Sequence, residues 1–220
     1  MLADRVRMGR KKGKVYLAKD SDFVKVDGWW VYRGSELEIE IPHIIQGEEI
    51  TSYDRMFSGS SGYSATPVTR VVSNNKNVTD MSSMFRGSSA TTLDLSSLDT
   101  SNVTDMSLMF RLSKATTLDL SSFDTSNVTD MHDMFSDSKA TTLDLSSFDT
   151  SNVTNMRQMF RLSKATTLDL SSFDTSNVTD MGNMFNSSSA TTGYARTQAD
   201  ANRFNNSSNK PSKLRFVVKP

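Results

Sequence analysis

The sequence predicts a β-rich solenoid, and two observations lead to this prediction. A block of 25 residues begins at Asn77 and is repeated without a gap from 102, 127, 152 and 177, the last copy breaking off after Thr192. Self-similarity at a fixed period of a few tens of residues is typical of stacked coils. The apolar positions recur in register in every copy, so that each coil can bury its apolar side only against its neighbours.

One half of each block predicts a short strand. Leu93 and Leu95 lie two residues apart with polar residues on either side, which is the period of a strand with one buried face. Leu98 adds a third apolar position, and phenylalanine takes its place in the next three copies. We therefore expect these strands to stack in parallel along the solenoid.

The other half of each block predicts a short helical turn. Val103, Met106, Met109 and Phe110 follow spacings of three, six and seven, which place them on one side of a short α- or 3₁₀-helix. Asp105 precedes this segment, where its carboxylate can cap free amides. Each coil is thus predicted to hold a parallel strand, a short helical turn and a return.

The phrase LDLSSFDTSNVTDM, followed two residues later by Met-Phe, resembles the repeat of BspA-like leucine-rich surface proteins, also described as a lactobacillus and mycoplasma surface repeat. The resemblance covers roughly residues 49–192 and implies a solenoid of the leucine-rich-repeat type. It departs from the family pattern where Ser88 and Ala90 replace the usual Cys and Leu. We expect looser packing at that corner of each coil.

The predicted organisation has four parts: a basic N-terminal arm over 1–14, a β-rich N-terminal cap over 15–48, the leucine-rich-repeat solenoid over 49–192, and a C-terminal cap over 193–220. The N-terminal cap has strand patterns at 15–17, 23–26, 29–32 and 37–41. The C-terminal cap has a capping pattern at Thr197 before a short helix, and then a closing strand. This ending resembles the terminal cap of BspA-like proteins encoded in phages and prophages of Gram-positive hosts.

The N-terminal arm is strongly basic. It carries Arg5, Arg7, Arg10, Lys11, Lys12 and Lys14. One interpretation is a solvated arm or a remnant of cloning. The other is an assembly arm that docks on an acidic partner surface.

Composition narrows the classes of function. Basic and acidic residues number 25 each, so no global field attracts nucleic acid. The chain has no cysteine, no apolar run long enough to span a membrane, and no pattern of a secretory or sorting signal. His43 and His132 stand far from any partner at motif spacing, so we predict no enzyme activity, no metal and no cofactor.

The outward side of the strands is the predicted binding face. Its residues are Thr92, Asp94, Ser96, Thr117, Asp119, Ser121, Thr142, Asp144, Ser146, Thr167, Asp169 and Ser171. Stacked in register, the four carboxylates form a ladder with a spacing of about 4.8 Å. The ladder is either a relic of duplication, tolerated because water and salt screen it, or a site for a cation, a basic partner surface or a glycan.

Three smaller features have alternative interpretations. Trp29 and Trp30 either pack over the first coil or form a ligand platform. The paired positions that vary between copies, such as Ser107-Leu108 and His132-Asp133, are expected to face solvent and either select a partner or are unconstrained. The asparagine that begins each copy matches a glycosylation sequon, and we interpret it as bonding to backbone in the coil turn.

Together these features predict a non-enzymatic binding or assembly protein. The first hypothesis is a phage or prophage virion component on the head, neck or tail, located at the virion surface. The alternative is a bacterial cell-surface adhesin or a fragment of one. Expected partners are virion proteins, further copies of the chain, or a host-surface protein or glycan, with no nucleic acid and no membrane insertion.

Overall fold

The computed structural model describes residues 15–59 and 67–220. It is a β-solenoid of about eight turns, built from parallel strands with little helix. The predicted solenoid of parallel strands is confirmed. The predicted basic arm at 1–14 and residues 60–66 lie outside the described residues.

The strands are short and are joined by turns. They are β1 (Tyr16–Leu17), β2 (Phe23–Val26), β3 (Trp29–Tyr32), β4 (Glu38–Glu40), β5 (Ile44–Ile45), β6 (Glu48–Glu49), β7 (Arg70–Ser73), β8 (Thr92–Leu98), β9 (Thr117–Asp119), β10 (Thr167–Leu170), β11 (Thr192–Ala195) and β12 (Arg215–Val218). A 3₁₀ turn spans Asp20–Asp22, and the helix α1 spans Gln198–Asn205.

Two parallel sheets form one side of the solenoid. The first has the order β1-β4-β7-β8-β9 and the second the order β10-β11-β12, while β2-β3 and β5-β6 are antiparallel hairpins. The repeat sets the register, since Leu93 pairs with Leu118 one period later. The inward Leu93 of one coil therefore lies directly beside the inward Leu118 of the next.

The strand ladder is interrupted at one coil. Residues 142–145 have the same sequence as 117–120 and 167–170, yet they belong to neither sheet. Within the described residues, the main chains of Thr142, Leu143 and Asp144 make no backbone hydrogen bond. The opposite side of the solenoid stays continuous through parallel bridges from Ser52 to Asp180, so the coils open on the strand side only.

The prediction of a short helix in each coil is wrong. The N–H groups of Met106, Leu108 and Phe110 donate to carbonyl groups of the next coil at 2.9–3.1 Å, instead of to their own helical turn. Leu108 and Leu112 have φ near +60°, in the left-handed region, so the chain does not continue as a right-handed helix through these positions. The apolar spacings fit these tight turns as well as they fit a helix.

Left-handed backbone at these positions has a cost for residues with a Cβ. Leu112 has φ +60° and is 43% exposed, while glycine (Gly87) holds the equivalent place one coil earlier. Because a left-handed L-residue costs roughly 1–2 kcal/mol and glycine about 0.5–1 kcal/mol of extra chain entropy, Leu112→Gly is expected to raise the free energy of unfolding by about 0.5–1 kcal/mol. Urea denaturation checks this, with the exposed Lys114→Gly as the control, in which a loss is expected. A loss in both variants would contradict the prediction.

Two columns of stacked rings fill the core. Phe57, Phe85, Phe110, Phe135, Phe160 and Phe185 follow one another at centroid distances of 5.5–6.0 Å, and a second column holds Phe123, Phe148 and Phe173 at 6.4 Å. The rings within each column are nearly parallel, with interplanar angles of 16° or less. Stacking between identical positions thus holds each coil against the next.

Four of the five asparagines that begin the copies bond to backbone as predicted, whereas the amide of Asn77 donates to the side chain of Glu49. The side-chain amide of Asn127 donates to the carbonyl of Ser101 at 2.7 Å, and that of Asn152 donates to Ser126 at 2.7 Å. These four amides thus bond to the backbone of the preceding coil.

The regular array ends where Gly193 replaces leucine. A Cβ at Gly193 would lie 2.3 Å from the ring of Phe216, so glycine makes room for this ring from β12. Phe216 packs on Phe185 at 4.9 Å, as does Phe204 of α1 at 5.8 Å. The α1 N-terminus is capped by the Thr197 hydroxyl, which accepts the N–H of Asp200.

Candidate functional site: the strand face

The twelve predicted binding residues all lie on the outward side of the solenoid, which we call the strand face. Their side chains are exposed or half-buried, whereas the leucines between them point inward. The carboxylate ladder is present where the strands pair, because Asp94 lies directly beside Asp119. It is not continuous as predicted, because the coil that carries Asp144 is unpaired on both sides.

Each carboxylate of the strand face has a local structural role. In three coils, Oδ1 of Asp94, Asp119 or Asp144 accepts both the N–H and the hydroxyl of the serine two residues later, at 3.1 Å and 2.6–2.7 Å. These bonds lower the pKa of Asp144, the serine hydroxyl being the largest cause. Two carboxylates 4.8 Å apart repel by about 0.9 kcal/mol in water, so hydrogen bonds of ordinary strength offset the repulsion.

The two ends of the ladder are neutralised. Arg70 lies between Glu38 and Asp94, with nitrogen–oxygen distances of 3.7 Å and 3.3 Å. At the other end, the ammonium group of Lys219 contacts Asp169 at 2.6 Å. Among the described residues, Asp119 and Asp144 have no such ion pair, so negative charge is concentrated at the middle of the strand face.

A groove opens at this uncompensated centre. Its volume is about 340 Å³, and its walls include Leu118, Leu143, Asp144 and Asp169 together with threonines and serines of three coils. Leu143 is only partly buried, whereas its equivalents Leu118 and Leu168 are buried. The interruption of the ladder thus adds an apolar floor and free backbone groups to a row of carboxylates.

Two further columns of aspartates lie outside the strand face, and of these the sequence predicted only the amide-capping role of Asp105, which is confirmed. One runs along the bridged side through Asp80, Asp105, Asp130, Asn155 and Asp180, and the other through Asp99, Asp124, Asp149 and Asp174. In both columns a side-chain oxygen accepts the N–H two residues later, as between Asp105 and Ser107 at 2.8 Å. The Asp-x-Ser spacing of the repeat contains this signal, because short polar side chains cap turns in this way.

The variable positions do not all face solvent as predicted. Ser107 and Asp133 are buried at 3% and 7% exposure, while Arg157 is exposed. His132 is half-buried and its Nδ1 lies 2.8 Å from Oδ1 of Asp130.

The contact between His132 and Asp130 predicts a pH dependence of stability. The hydrogen bond to Asp130 raises the pKa of His132 above its ordinary value of 6.5. A raised folded-state pKa gives stability that is fully present below pH 6.5 and is lost as pH rises through the folded-state pKa. His132→Gln is therefore expected to lower the melting temperature more at pH 5.5 than at pH 9.

The matched control is His43→Gln, since the ring of His43 contacts the neutral amide of Asn74 at 2.8 Å. Thermal denaturation of both variants across this pH range provides the measurement. A His132→Gln effect of equal size at both pH values would contradict a charged pair.

Trp29 and Trp30 are adjacent residues of one strand, so their side chains point to opposite sides and differ in burial. Trp30 is 9% exposed, while Trp29 is partly exposed with the guanidinium of Arg55 3.9 Å from its ring centroid. A small pocket of about 140 Å³ lies beside both rings and the Lys25–Glu48 ion pair. Trp30 thus packs in the core, and Arg55 already covers one face of Trp29.

In residues 15–59 and 67–220, no group of three or more histidine, aspartate or glutamate side chains is placed to hold a metal ion. No helix in the same ranges has the length and apolar character to cross a membrane.

The repeated coils and their polar outer face define a repeat-type solenoid of the kind found in surface-protein families. The chain belongs to the family described as "Mycoplasma protein of unknown function, DUF285", whose model matches residues 44–142 and 79–197. This repeat-type surface family is compatible with the resemblance to BspA-like repeats. Comparisons with curated proteins and with solved structures gave no match.

Proposed function

We propose that the protein is a non-enzymatic binding and assembly component whose strand face engages a basic partner. The observation that carries this proposal is the groove at 142–146, which Asp144 lines and beside which Asp119 lies in the neighbouring coil; within residues 15–59 and 67–220 neither carboxylate makes an ion pair. Their local bonds use Oδ1, so the second oxygen of each carboxylate is available to a partner. Lysine or arginine side chains fit these oxygens, and apolar groups fit the floor at Leu143.

The arrangement of the carboxylates on the strand face favours a protein or peptide partner rather than a metal ion. Carboxylates in a flat row offer few converging oxygens to one ion, whereas Ca²⁺ takes 6–8. Repeat surfaces of this extended kind bind through many small contacts along their length.

Two hypotheses about where the protein is located, each supported by a different observation, are compatible with this binding surface. The ending TGYARTQADANRFN resembles phage-encoded BspA-like proteins and supports a virion component with a leucine-rich-repeat type of coil. The family match supports a bacterial surface protein acting as an adhesin. Antibodies against the recombinant protein, applied to purified phage particles and to intact cells, distinguish the two by where the label binds.

Binding of a charged peptide tests the role of the face. We expect a ten-residue peptide of alternating arginine and valine to bind the full chain at low salt, and its glutamate–valine counterpart not to bind. Asp119→Asn with Asp144→Asn is expected to weaken binding at least tenfold, since two charge-assisted contacts are lost. The control is Asp124→Asn with Asp149→Asn. These two aspartates belong to the same coils as Asp119 and Asp144 but lie further along the chain, beyond the strand face. Equal weakening by both pairs of substitutions would contradict a site on the strand face.

A further inference from the structure

The outermost strand of the second sheet is β12. It pairs with β11 on one side, and among the residues that the structure describes no strand lies on its other side. An edge strand of this kind presents backbone N–H and C=O groups to which a strand of another molecule can add. The risk is greatest in a solenoid, because its coils are held together by this same stacking of strands.

The outward backbone groups of β12 belong to Phe216 and Val218. The N–H of Lys219 donates to the carbonyl of Ala195 at 3.2 Å, so Lys219 faces β11. Because successive residues of a strand direct their N–H and C=O groups to alternate edges, those of Phe216 and Val218 point away from β11. An added strand would have to bond to these groups.

Asn205 already occupies the middle of this edge. Its Nδ2 donates to the carbonyl of Phe216 at 2.8 Å, and its Oδ1 accepts the N–H of Phe216 at 3.0 Å. A side-chain amide carries a donor and an acceptor side by side, as a peptide group does. The same two bonds join a hydrogen-bonded pair of residues in neighbouring antiparallel strands. The side chain therefore takes the place of a residue in a further strand.

The helix α1 holds the Asn205 side chain in this position. Asn205 is the last residue of α1, and the preceding Phe204 is fully buried with its ring centroid 5.0 Å from that of Phe216. Packing of the two rings fixes the helix against β12, so the amide needs little further ordering to reach the strand.

The positions on either side of Phe216 are also unsuited to strand addition. The carbonyl of Leu214 accepts the ammonium group of Lys210, and the N–H of Leu214 donates to the carbonyl of Pro211 at 3.0 Å. Pro220, which follows the strand, has no N–H to donate. The pair of bonds at Phe216 is thus the central part of a closed edge.

We propose that Asn205 closes the outer edge of β12 against pairing with a strand of a second copy of the chain. A second copy is the partner to exclude, because its own strands already stack on one another in this geometry. Without the Asn205 amide, the N–H and the C=O of Phe216 bond to water or to a strand of another molecule, and the second becomes favoured as the protein concentration rises. This role is independent of the proposed function at the strand face, so either can fail alone.

Sedimentation velocity of the full chain tests this role. Asn205→Ala is expected to form species larger than those of the unmodified chain, in a proportion that rises with protein concentration. Asn205→Ser removes the same amide and carries the same expectation. The matched control is Asn206→Ala, which alters the exposed residue next to it and is expected to sediment as the unmodified chain does.

Two further variants separate an open edge from a loss of stability. Phe135→Leu weakens the middle of the solenoid away from β12, and is expected to keep the size of the unmodified chain while circular dichroism shows it folded. Asn205→Asp still accepts the N–H of Phe216 but cannot donate to its carbonyl, and the charge at the edge opposes an added strand. It is expected to form at least tenfold less of the larger species than Asn205→Ala.

Hydrogen exchange followed by mass spectrometry locates the contact. In dilute Asn205→Ala we expect the peptide containing Phe216 to exchange faster than in the unmodified chain, and to regain protection as the larger species form. Equal assembly by Phe135→Leu or Asn205→Asp would overturn the proposal, since assembly would then follow from lost stability alone. The proposal also fails if Asn205→Ala keeps the size of the unmodified chain at every concentration.

Discussion

Replacing Phe135 with alanine is expected to lower the free energy of unfolding by about 3–5 kcal/mol. The ring is fully buried and stacks on Phe110 at 5.6 Å and on Phe160 at 5.7 Å, with interplanar angles of 10° and 6°. Its removal leaves a cavity in contact with both neighbouring coils. Because the stability of a solenoid is close to a sum over neighbouring interfaces, two interfaces weaken at once.

Urea denaturation followed by circular dichroism measures this loss. Phe135→Leu is the control and should cost less, because it leaves a smaller cavity. A second transition in Phe135→Ala would show that the two halves of the solenoid unfold separately. A loss below about 1 kcal/mol would contradict the role of the ring column as the main contact between coils.

Leu145→Ala is expected to cost about 2–5 kcal/mol, while Asp144→Ala should change stability by less than about 1 kcal/mol. Leu145 is 2% exposed, whereas the adjacent Asp144 points outward into solvent. Removing Asp144 loses two bonds to Ser146 but also relieves repulsion within the acidic row, so the two effects oppose each other. Denaturation of both variants tests which side chains of this coil point inward. A larger loss for Asp144→Ala would reverse the assignment.

The fold could be predicted from the sequence because the repeat fixes both the period and the inward positions. Leu93, Met106 and Phe110 are buried as their spacing requires. The helix prediction failed because spacings of three, six and seven fit both a helix and a series of tight turns. Hydrogen bonds to the next coil favour the turns, and these bonds depend on stacking that no local pattern shows.

The strand face was predicted residue by residue, but the groove was not. Residues 142–145 have the same sequence as the coils beside them, so no sequence signal marks the point at which pairing is interrupted. The neutralised ends of the row also depend on tertiary contacts, since Lys219 lies 50 residues from Asp169. Charge along the face is thus set by packing as much as by composition.

Amide hydrogen exchange of the identical strand segments, followed by NMR, tests the central claim that the strand face opens at one coil. Residues 117–120, 142–145 and 167–170 have the same sequence, so differences in their exchange rates report structure alone. At high salt, where a basic partner is screened, we predict faster exchange at 142–145 than in the two paired segments. Equal protection of all three segments would show a continuous ladder with no groove, and would contradict this account of the binding face.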